Sequence, residues 1–281
     1  MPTYAALVAD LRAAGCVFAE QEAALLLGEG LQPADLDAAV RRRASGEPLE
    51  HIVGWVSFRG LRLLLDPGVF VPRRRTELIA REAERASAAA GPAPVVLDLC
   101  CGVGAIGAAV LAAVPGAQLI AVDVDPREVA CARRNLGDRV LTGDLFAPLP
   151  VALRGRIDVI AANAPYVPTA AIGLMPGEAR DHEPALALDG GPDGLDIARR
   201  IAADAPAWLA PGGALIVETS RRQADALAAL FAAAGLDPRI ARDDDLDATA
   251  VIGRLRPADV VSGTAARRRT QPPPPRGRAP R

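Results

Sequence analysis

The chain has 281 residues, about half of them hydrophobic, enough to bury a sizeable core as one large domain or as one medium and one small unit. It contains no lysine: all 32 basic residues are Arg, and the net charge of −2 is uneven, with six Arg against one Asp from residue 257 onward and a remainder of −7. An acidic body argues against a duplex nucleic-acid binder, which needs a basic face.

Residues 1–50 carry helical periodicity. Leu7, Val8 and Leu11 share one stripe, and Ala23, Ala24, Leu26 and Leu27 mark a second short helix. Pro33-Ala34-Asp35 opens a third, with Pro in the first turn and an acid near the positive end of the helix dipole; Arg41-Arg42-Arg43 suits its C-terminus. Helices this short do not stand alone, so a small accessory bundle is expected. Residues 48–72 change character: Ile52-Val53-Gly54-Trp55 and Phe58-Arg59-Gly60-Leu61 alternate around glycines, and Asp66-Pro67-Gly68 leads into Val69-Phe70-Val71-Pro72. A hairpin with a turn between its arms is expected, followed by a helix opened at Arg73–Glu77 and running to Ala90. The hairpin and helix form a connector over residues 51–93.

The main unit, residues 94–257, repeats strand and helix. Its strands are read at Val95–Leu99, Leu119–Val122, Val140-Leu141, Ile157–Ala162 and Gly213–Glu218, with last strands at Pro238–Ile240 and Ala250–Ile252. Alternation of this kind predicts an α/β fold with a doubly wound, mostly parallel sheet that binds ligands at the carboxyl ends of its strands. The Pro- and Arg-rich tail, residues 258–281, is expected to be disordered.

Cys16, Cys100, Cys101 and Cys131 have no CxxC spacing and no His cluster, so no metal site is expected. No basic-then-apolar leader and no apolar run of membrane-spanning length are visible, which reads as a cytoplasmic protein with reduced thiols and no membrane contact.

Two motifs carry chemistry. Gly102-x-Gly104-x-x-Gly107 follows a strand and opens a helix, and Asp123 ends the next strand, where it can hold ribose hydroxyls. A nicotinamide dinucleotide and S-adenosyl-L-methionine both fit that pattern. They separate at Asp98, just before the loop: a carboxylate there repels a pyrophosphate and suits the ammonium and sulfonium of the second cofactor. Asp144, after the third strand, can read an adenine amino group. The second motif is Asn163-Ala164-Pro165-Tyr166 at a strand end. The Asn163 side-chain oxygen and the Ala164 carbonyl are two acceptors able to grip a planar NH2 group by both hydrogens.

The run Asp98-Leu-Cys-Cys-Gly-Val-Gly-Ala-Ile-Gly107, with Ala121-Val-Asp123, Gly143-Asp-Leu-Phe146 and Asn163-Ala-Pro-Tyr166, resembles the class I S-adenosylmethionine-dependent methyltransferases that act on amino groups. Gly46–Gly54 with Phe58, Pro67–Arg73 with Thr76-Glu77, and Arg180–Leu195 narrow the resemblance to the HemK family, protein-(glutamine-N5) methyltransferases that modify peptide chain release factors. The resemblance implies a Rossmann-like, mostly parallel seven-stranded sheet behind a small helical substrate-recognition domain. It implies S-adenosyl-L-methionine held by Asp98, Cys100, Gly102, Gly104, Ile106, Asp123, Val124, Asp144, Leu145 and Asn163. It places the substrate glutamine against Asn163, Ala164, Pro165 and Tyr166, with Arg73, Glu183 and Pro184 at the entrance. The partner implied is a protein carrying that glutamine, a release factor being the candidate; nucleic acid is not expected as the direct substrate, and a monomer is expected. Two departures stand out: Ala164 where the family has proline, and Arg75 where it has an acid, marking a subgroup. Two other readings remain open, methylation of an exocyclic amine of a nucleic-acid base and cofactor binding without catalysis.

Overall fold

The computed structural model describes residues 3–256; the expectation for the tail lies outside these. Three short helices, α1 (Tyr4–Ala13), α2 (Ala19–Gly28) and α3 (Pro33–Ala44), bury Leu7, Leu11, Leu26 and Leu36 against one another in a core of their own. Arg43 near the end of α3 is almost fully buried. Its Nε lies 2.6 Å from Glu22 Oε2, and its Nη1 lies 2.6 Å from Glu178 Oε1, 135 residues further along the chain.

The expected hairpin is shorter, and its turn lies earlier in the chain, than the alternation suggested. Ile52 and Val53 belong to a helical turn, α4 (Leu49–Val53), which Gly54 ends with a φ of 77°. The arms are β1 (Trp55–Phe58) and β2 (Leu61–Leu64), joined at Arg59-Gly60, where φ is 52° and 75°. Two positive φ values make the tight primed turn that matches strand twist. Asp66-Pro67-Gly68 therefore follows the second arm, and Val69–Pro72 pairs with no strand. His51 explains part of this: it is buried, and its Nε2 lies 2.8 Å from the Val69 carbonyl, tying α4 to that segment.

The main sheet has the strands β3 (Val95–Leu99), β4 (Gln118–Asp123), β5 (Val140–Thr142), β6 (Ile157–Ala162), β7 (Leu209–Thr219), β8 (Leu236–Asp243) and β9 (Ala248–Leu255), in the order β5-β4-β3-β6-β7-β9-β8. The first five are parallel and β9 is antiparallel to both its neighbours. Alternate residues face opposite layers. Val96, Val159, Ala161, Ala214 and Ile216 pack under α5 (Glu77–Ala90), α6 (Ala105–Ala113) and α7 (Pro126–Leu136). Leu97, Leu99, Ile160, Leu215 and Val217 pack under α10 (Asp196–Asp204) and α11 (Ala224–Ala233). Burial on both faces explains why the central strands read as unbroken apolar runs. Pro238, which cannot donate to a ladder, sits on the edge strand. From β3 the chain winds outward to β5 and returns to β6 on the other side of β3, so the crevice opens above the carboxyl ends of β3 and β6. Two short helices, α8 (Gly177–His182) and α9 (Ala185–Leu188), lie in the connection from β6 to α10.

Candidate active site

That crevice holds a cleft of about 930 Å³, open to solvent and lined by side chains from the loops after β3, β4, β5 and β6. The loop after β3 is folded by three positive φ values, 53° at Cys100, 54° at Gly102 and 84° at Gly104. Cys100 holds a left-handed backbone that costs a residue with a Cβ roughly 1–2 kcal/mol, and such strain is tolerated where packing over-determines the loop. Gly104 caps α6; a Cβ there would lie 2.4 Å from Leu136 Cδ1. Gly107 donates its N–H to Asp98 Oδ2 at 2.8 Å, and a Cβ at Gly107 would meet that same oxygen at 3.2 Å. The last glycine thus lets the first turn of α6 settle onto the acid.

Asp98 does not line the cleft. It is fully buried behind the loop, with Oδ1 free of any hydrogen-bond partner. Burial pushes its pKa up to about 8, the Gly107 N–H opposes this, and Asp123 adds to it. Asp123 does line the cleft. Its Oδ2 accepts from Gly102 N at 2.9 Å and its Oδ1 from Asp125 N at 3.0 Å, so two backbone amides fix the carboxylate at the end of β4. Its pKa is raised by burial, which those amides partly offset.

Glu128 is a third acid, which the sequence reading missed. It stands in the first turn of α7, where an acid is the ordinary dipole partner and raises no suspicion. In the fold it is buried on the wall of the cleft. Its Oε1 accepts from Phe70 N at 2.7 Å, and its Oε2 has no partner. Burial raises its pKa to about 8, against the Phe70 N–H. The remaining lining is largely apolar: Phe70, Val103, Ile106, Val122, Leu145 and Ile197 among others. Cys100, Gly102 and Val124 line it, and Gly104, named with them from the sequence, does not. Asp144 also borders the cleft, but its carboxylate is turned outward to Arg200, 2.6 Å away. Its neighbour Leu145 is buried with φ 49°.

The cleft fits S-adenosyl-L-methionine and not a dinucleotide. Asp123 and Glu128 line the cleft and Asp98 lies behind its loop, an acidic surround that favours a cation over a pyrophosphate. The apolar walls suit an adenine ring.

Asn163 and Pro165 reach the cleft from the end of β6. Asn163 Nδ2 lies 3.3 Å from Thr76 Oγ1, and among the described residues neither Asn163 Oδ1 nor the Ala164 carbonyl is engaged in a hydrogen bond. The Ala164 side chain faces the core. Tyr166 departs from expectation: it does not line the cleft. Its hydroxyl donates to Glu218 Oε1 at 3.2 Å and accepts from Arg75 Nη1 at 3.4 Å. Burial, then the neighbouring Glu218 charge, raises the Tyr166 pKa. Its carbonyl accepts from Gln223 Nε2 at 2.9 Å. Glycines brace the tetrapeptide from behind: a Cβ on Gly190 would lie 2.7 Å from the Pro165 carbonyl, and one on Gly194 2.3 Å from that of Tyr166.

Arg73 and Glu183 are also set back from the lining. Arg73 Nη2 lies 2.6 and 2.7 Å from the two Glu183 oxygens, and Glu183 Oε1 accepts from Val71 N at 3.2 Å. The Glu183 side chain is wholly buried, which raises its pKa although Arg73 opposes the shift. This pair anchors the segment whose Pro184, Leu186 and Ala187 close one side of the cleft.

The family model described as the methyltransferase small domain matches residues 61–175. A release factor glutamine methyltransferase of Geobacter sulfurreducens is 42% identical over 213 residues, 73% of each chain. A 4-amino-L-phenylalanine/4-methylamino-L-phenylalanine methyltransferase of Streptomyces pristinaespiralis is 39% identical over 205 residues, 70% of this chain and 69% of that one. Among solved structures, a methyltransferase from Pyrococcus furiosus shares the fold with a TM-score of 0.52 at 15% identity, over 77% of this chain and 97% of that one.

Proposed function

This chain belongs to the HemK family, the release factor glutamine methyltransferases, and on that premise we propose that it transfers a methyl group from S-adenosyl-L-methionine to the side-chain amide nitrogen of a glutamine in a protein, with a peptide chain release factor as the substrate. The observation that carries this reading is that Asn163 lines a cleft also lined by Asp123 and Glu128, with its Oδ1 and the adjoining Ala164 carbonyl unengaged in hydrogen bonds among the described residues.

The cofactor, when bound, supplies an electrophilic methyl group on a sulfonium. Glu128 on the cleft wall, with Asp98 behind the loop, would supply negative charge toward its cationic end, Asp123 would accept from its ribose hydroxyls, and Ile106, Leu145 and Ile197 would enclose its adenine. The difficulty lies with the acceptor. An amide nitrogen is a weak nucleophile because its lone pair is shared with the carbonyl. Asn163 Oδ1 and the Ala164 carbonyl each accept one N–H, which aims the remaining lone pair along the line of transfer. Positioning of this kind supplies on the order of several kcal/mol of barrier reduction. No strong base is required, since the methylated nitrogen is acidic and releases its proton to solvent. The Ala164 substitution keeps the carbonyl and gives up only a ring-fixed φ.

In this reading residues 1–50 recognise the substrate protein, residues 51–93 connect, and residues 94–257 carry the chemistry. The Arg43–Glu178 contact gives the helical unit a direct mechanical link to the segment beside the cleft. The enzyme acts as a monomer in the cytoplasm and belongs to the subgroup marked by Ala164 and Arg75. No described helix is long and apolar enough to cross a membrane.

The test is a transfer assay with methyl-labelled cofactor. Purified release factors, other ribosome-associated proteins, ribosomal RNA, DNA and 4-amino-L-phenylalanine are offered separately, with Asn163→Ala as control. Label on a release-factor glutamine, lost in the variant, supports the reading. Label only on nucleic acid or on the aromatic amine overturns the protein acceptor, and no label on any acceptor while cofactor binds overturns the release-factor assignment.

A further inference from the structure

The two ends of the Asn163 side chain are opposite in character. One accepts and the other donates, and only the acceptor can hold a substrate N–H. Nothing in the tetrapeptide itself decides which end faces the cleft. Asn163 Nδ2 lies 3.3 Å from Thr76 Oγ1, but a hydroxyl both donates and accepts, so that contact alone is compatible with either orientation.

The asymmetry comes from Thr76, which also lines the cleft, and from Glu218, which does not. Each is 2% exposed. Glu218, near the end of β7, takes the Tyr166 hydroxyl on Oε1 at 3.2 Å, and its Oε2 is buried without a partner in strict hydrogen-bond geometry. The Thr76 hydroxyl lies against this carboxyl and, with Arg75, Tyr166 and Arg73, counteracts the rise in pKa that burial imposes on it. In its ionised form Glu218 can only accept. The nearest use for the Thr76 proton is therefore the unsatisfied Glu218 oxygen, and the nearest use for the Thr76 lone pair is Asn163 Nδ2. Arg75 supports the arrangement from outside, since its Nη1 donates to the Tyr166 oxygen at 3.4 Å and so leaves the phenolic proton for Glu218.

We propose that Thr76 is a positioning residue: with its proton directed to Glu218 it accepts from Asn163 Nδ2, and so keeps Asn163 Oδ1 facing the substrate amide. The inference rests on the reading of Asn163 as the acceptor for a substrate N–H. It also gives the arginine at position 75 a task, as a charge that opposes the rise in pKa that burial imposes on Glu218.

The test uses the full chain with Thr76→Val, which keeps the shape and removes the hydroxyl, and Thr76→Ser, which restores it. The side-chain amide of Asn163 is followed by 15N NMR, assigned by its loss in Asn163→Ala, and cofactor affinity is measured by calorimetry. In the native protein one amide proton is expected to be displaced from its position in a free amide, being hydrogen-bonded. It moves to the free position in Thr76→Val and returns in Thr76→Ser, with cofactor affinity held within about twofold. The methyl-transfer kcat falls on the order of ten- to a hundredfold in the Val variant and returns in the Ser variant. An unchanged Asn163 signal in Thr76→Val, failure of Ser to restore it, or a loss of cofactor affinity that matches the loss of kcat would each overturn the inference. If Thr76→Val does not fold, Glu218→Leu tests the same point. It removes the acceptor for the Thr76 proton, so the bonded Asn163 proton should move to its free-amide position, and persistence of its native shift overturns the inference. The NMR arm decides even if the native enzyme methylates no glutamine, an outcome that sinks the acceptor assignment but not the positioning.

Discussion

Cofactor binding should release protons, and the amount follows from two buried acids. Asp98 and Glu128 each sit at a pKa of about 8 in the free protein, with burial the largest cause in both. At pH 7 a group with that pKa holds on the order of 0.9 proton, against almost none for a carboxyl at its ordinary value. Each acid also leaves one oxygen without a partner, so a cation placed beside them restores the charged form. Binding at pH 7 is therefore expected to release roughly one to two protons per cofactor. Affinity should rise about tenfold per pH unit for each acid that ionises on binding. The window is pH 6 to 7.5, below the range where an α-amino group loses its own charge. The sign for stability runs the opposite way. Both folded pKa values lie above the unfolded ones, so the stabilisation is complete below about pH 4 and is lost as pH rises through about 8. The free protein should melt lower at pH 7.5 than at pH 6, and the gain in melting temperature on adding cofactor should be larger at pH 7.5. Calorimetry at pH 7 in two buffers of different ionisation enthalpy counts the protons directly. Asp98→Asn should lower the count by about one while its amide still accepts from Gly107. No proton release, together with an affinity flat from pH 6 to 7.5, would refute the assignment of these acids to the cationic end of the cofactor.

Removing one of the two acceptors, in Asn163→Ala, should lower kcat on the order of a hundredfold; equal rates in single-turnover assays would remove Asn163 from the chemistry. Gly190→Ala pushes a Cβ against the Pro165 and Gly194 carbonyls at 2.7 and 2.8 Å, and is expected to cost about 1–3 kcal/mol in denaturant unfolding together with a loss of transfer activity. Glu183→Gln breaks the pair that anchors the segment beside the cleft. Because Arg73 is partly exposed, the expected cost is about 1–3 kcal/mol, less than for a fully buried pair. Its cofactor dissociation, followed by stopped flow, should quicken, and an unchanged rate would detach this segment from cofactor retention.

Much of the architecture is legible in the chain because it depends on local patterns. Alternating apolar strands and helices specify a parallel sheet, and a glycine turn followed by an acid at the next strand end marks the ligand crevice. Cys100, Gly102, Asp123, Leu145, Asn163 and Pro165 could be named for the cleft because each sits next to the end of a strand. The hairpin was blurred for a similar reason: over five residues, Leu49–Val53, a helical turn and a strand look alike.

What the sequence could not determine is which way each polar side chain points. Asp98 stands in the expected motif yet lies behind the loop, Tyr166 closes the tetrapeptide yet turns to Glu218, and Arg73 and Glu183 serve each other. Glu128 looks like a helix-end acid and becomes a wall of the cleft only when Phe70, 58 residues earlier, meets it. Thr76 reaches Asn163 and Glu218 reaches Tyr166 from two other elements. Strand-end position is a property of neighbours in the chain. Burial, and the donor or acceptor left over for each buried polar atom, depends on which remote segment is packed against it, and only the tertiary structure decides that.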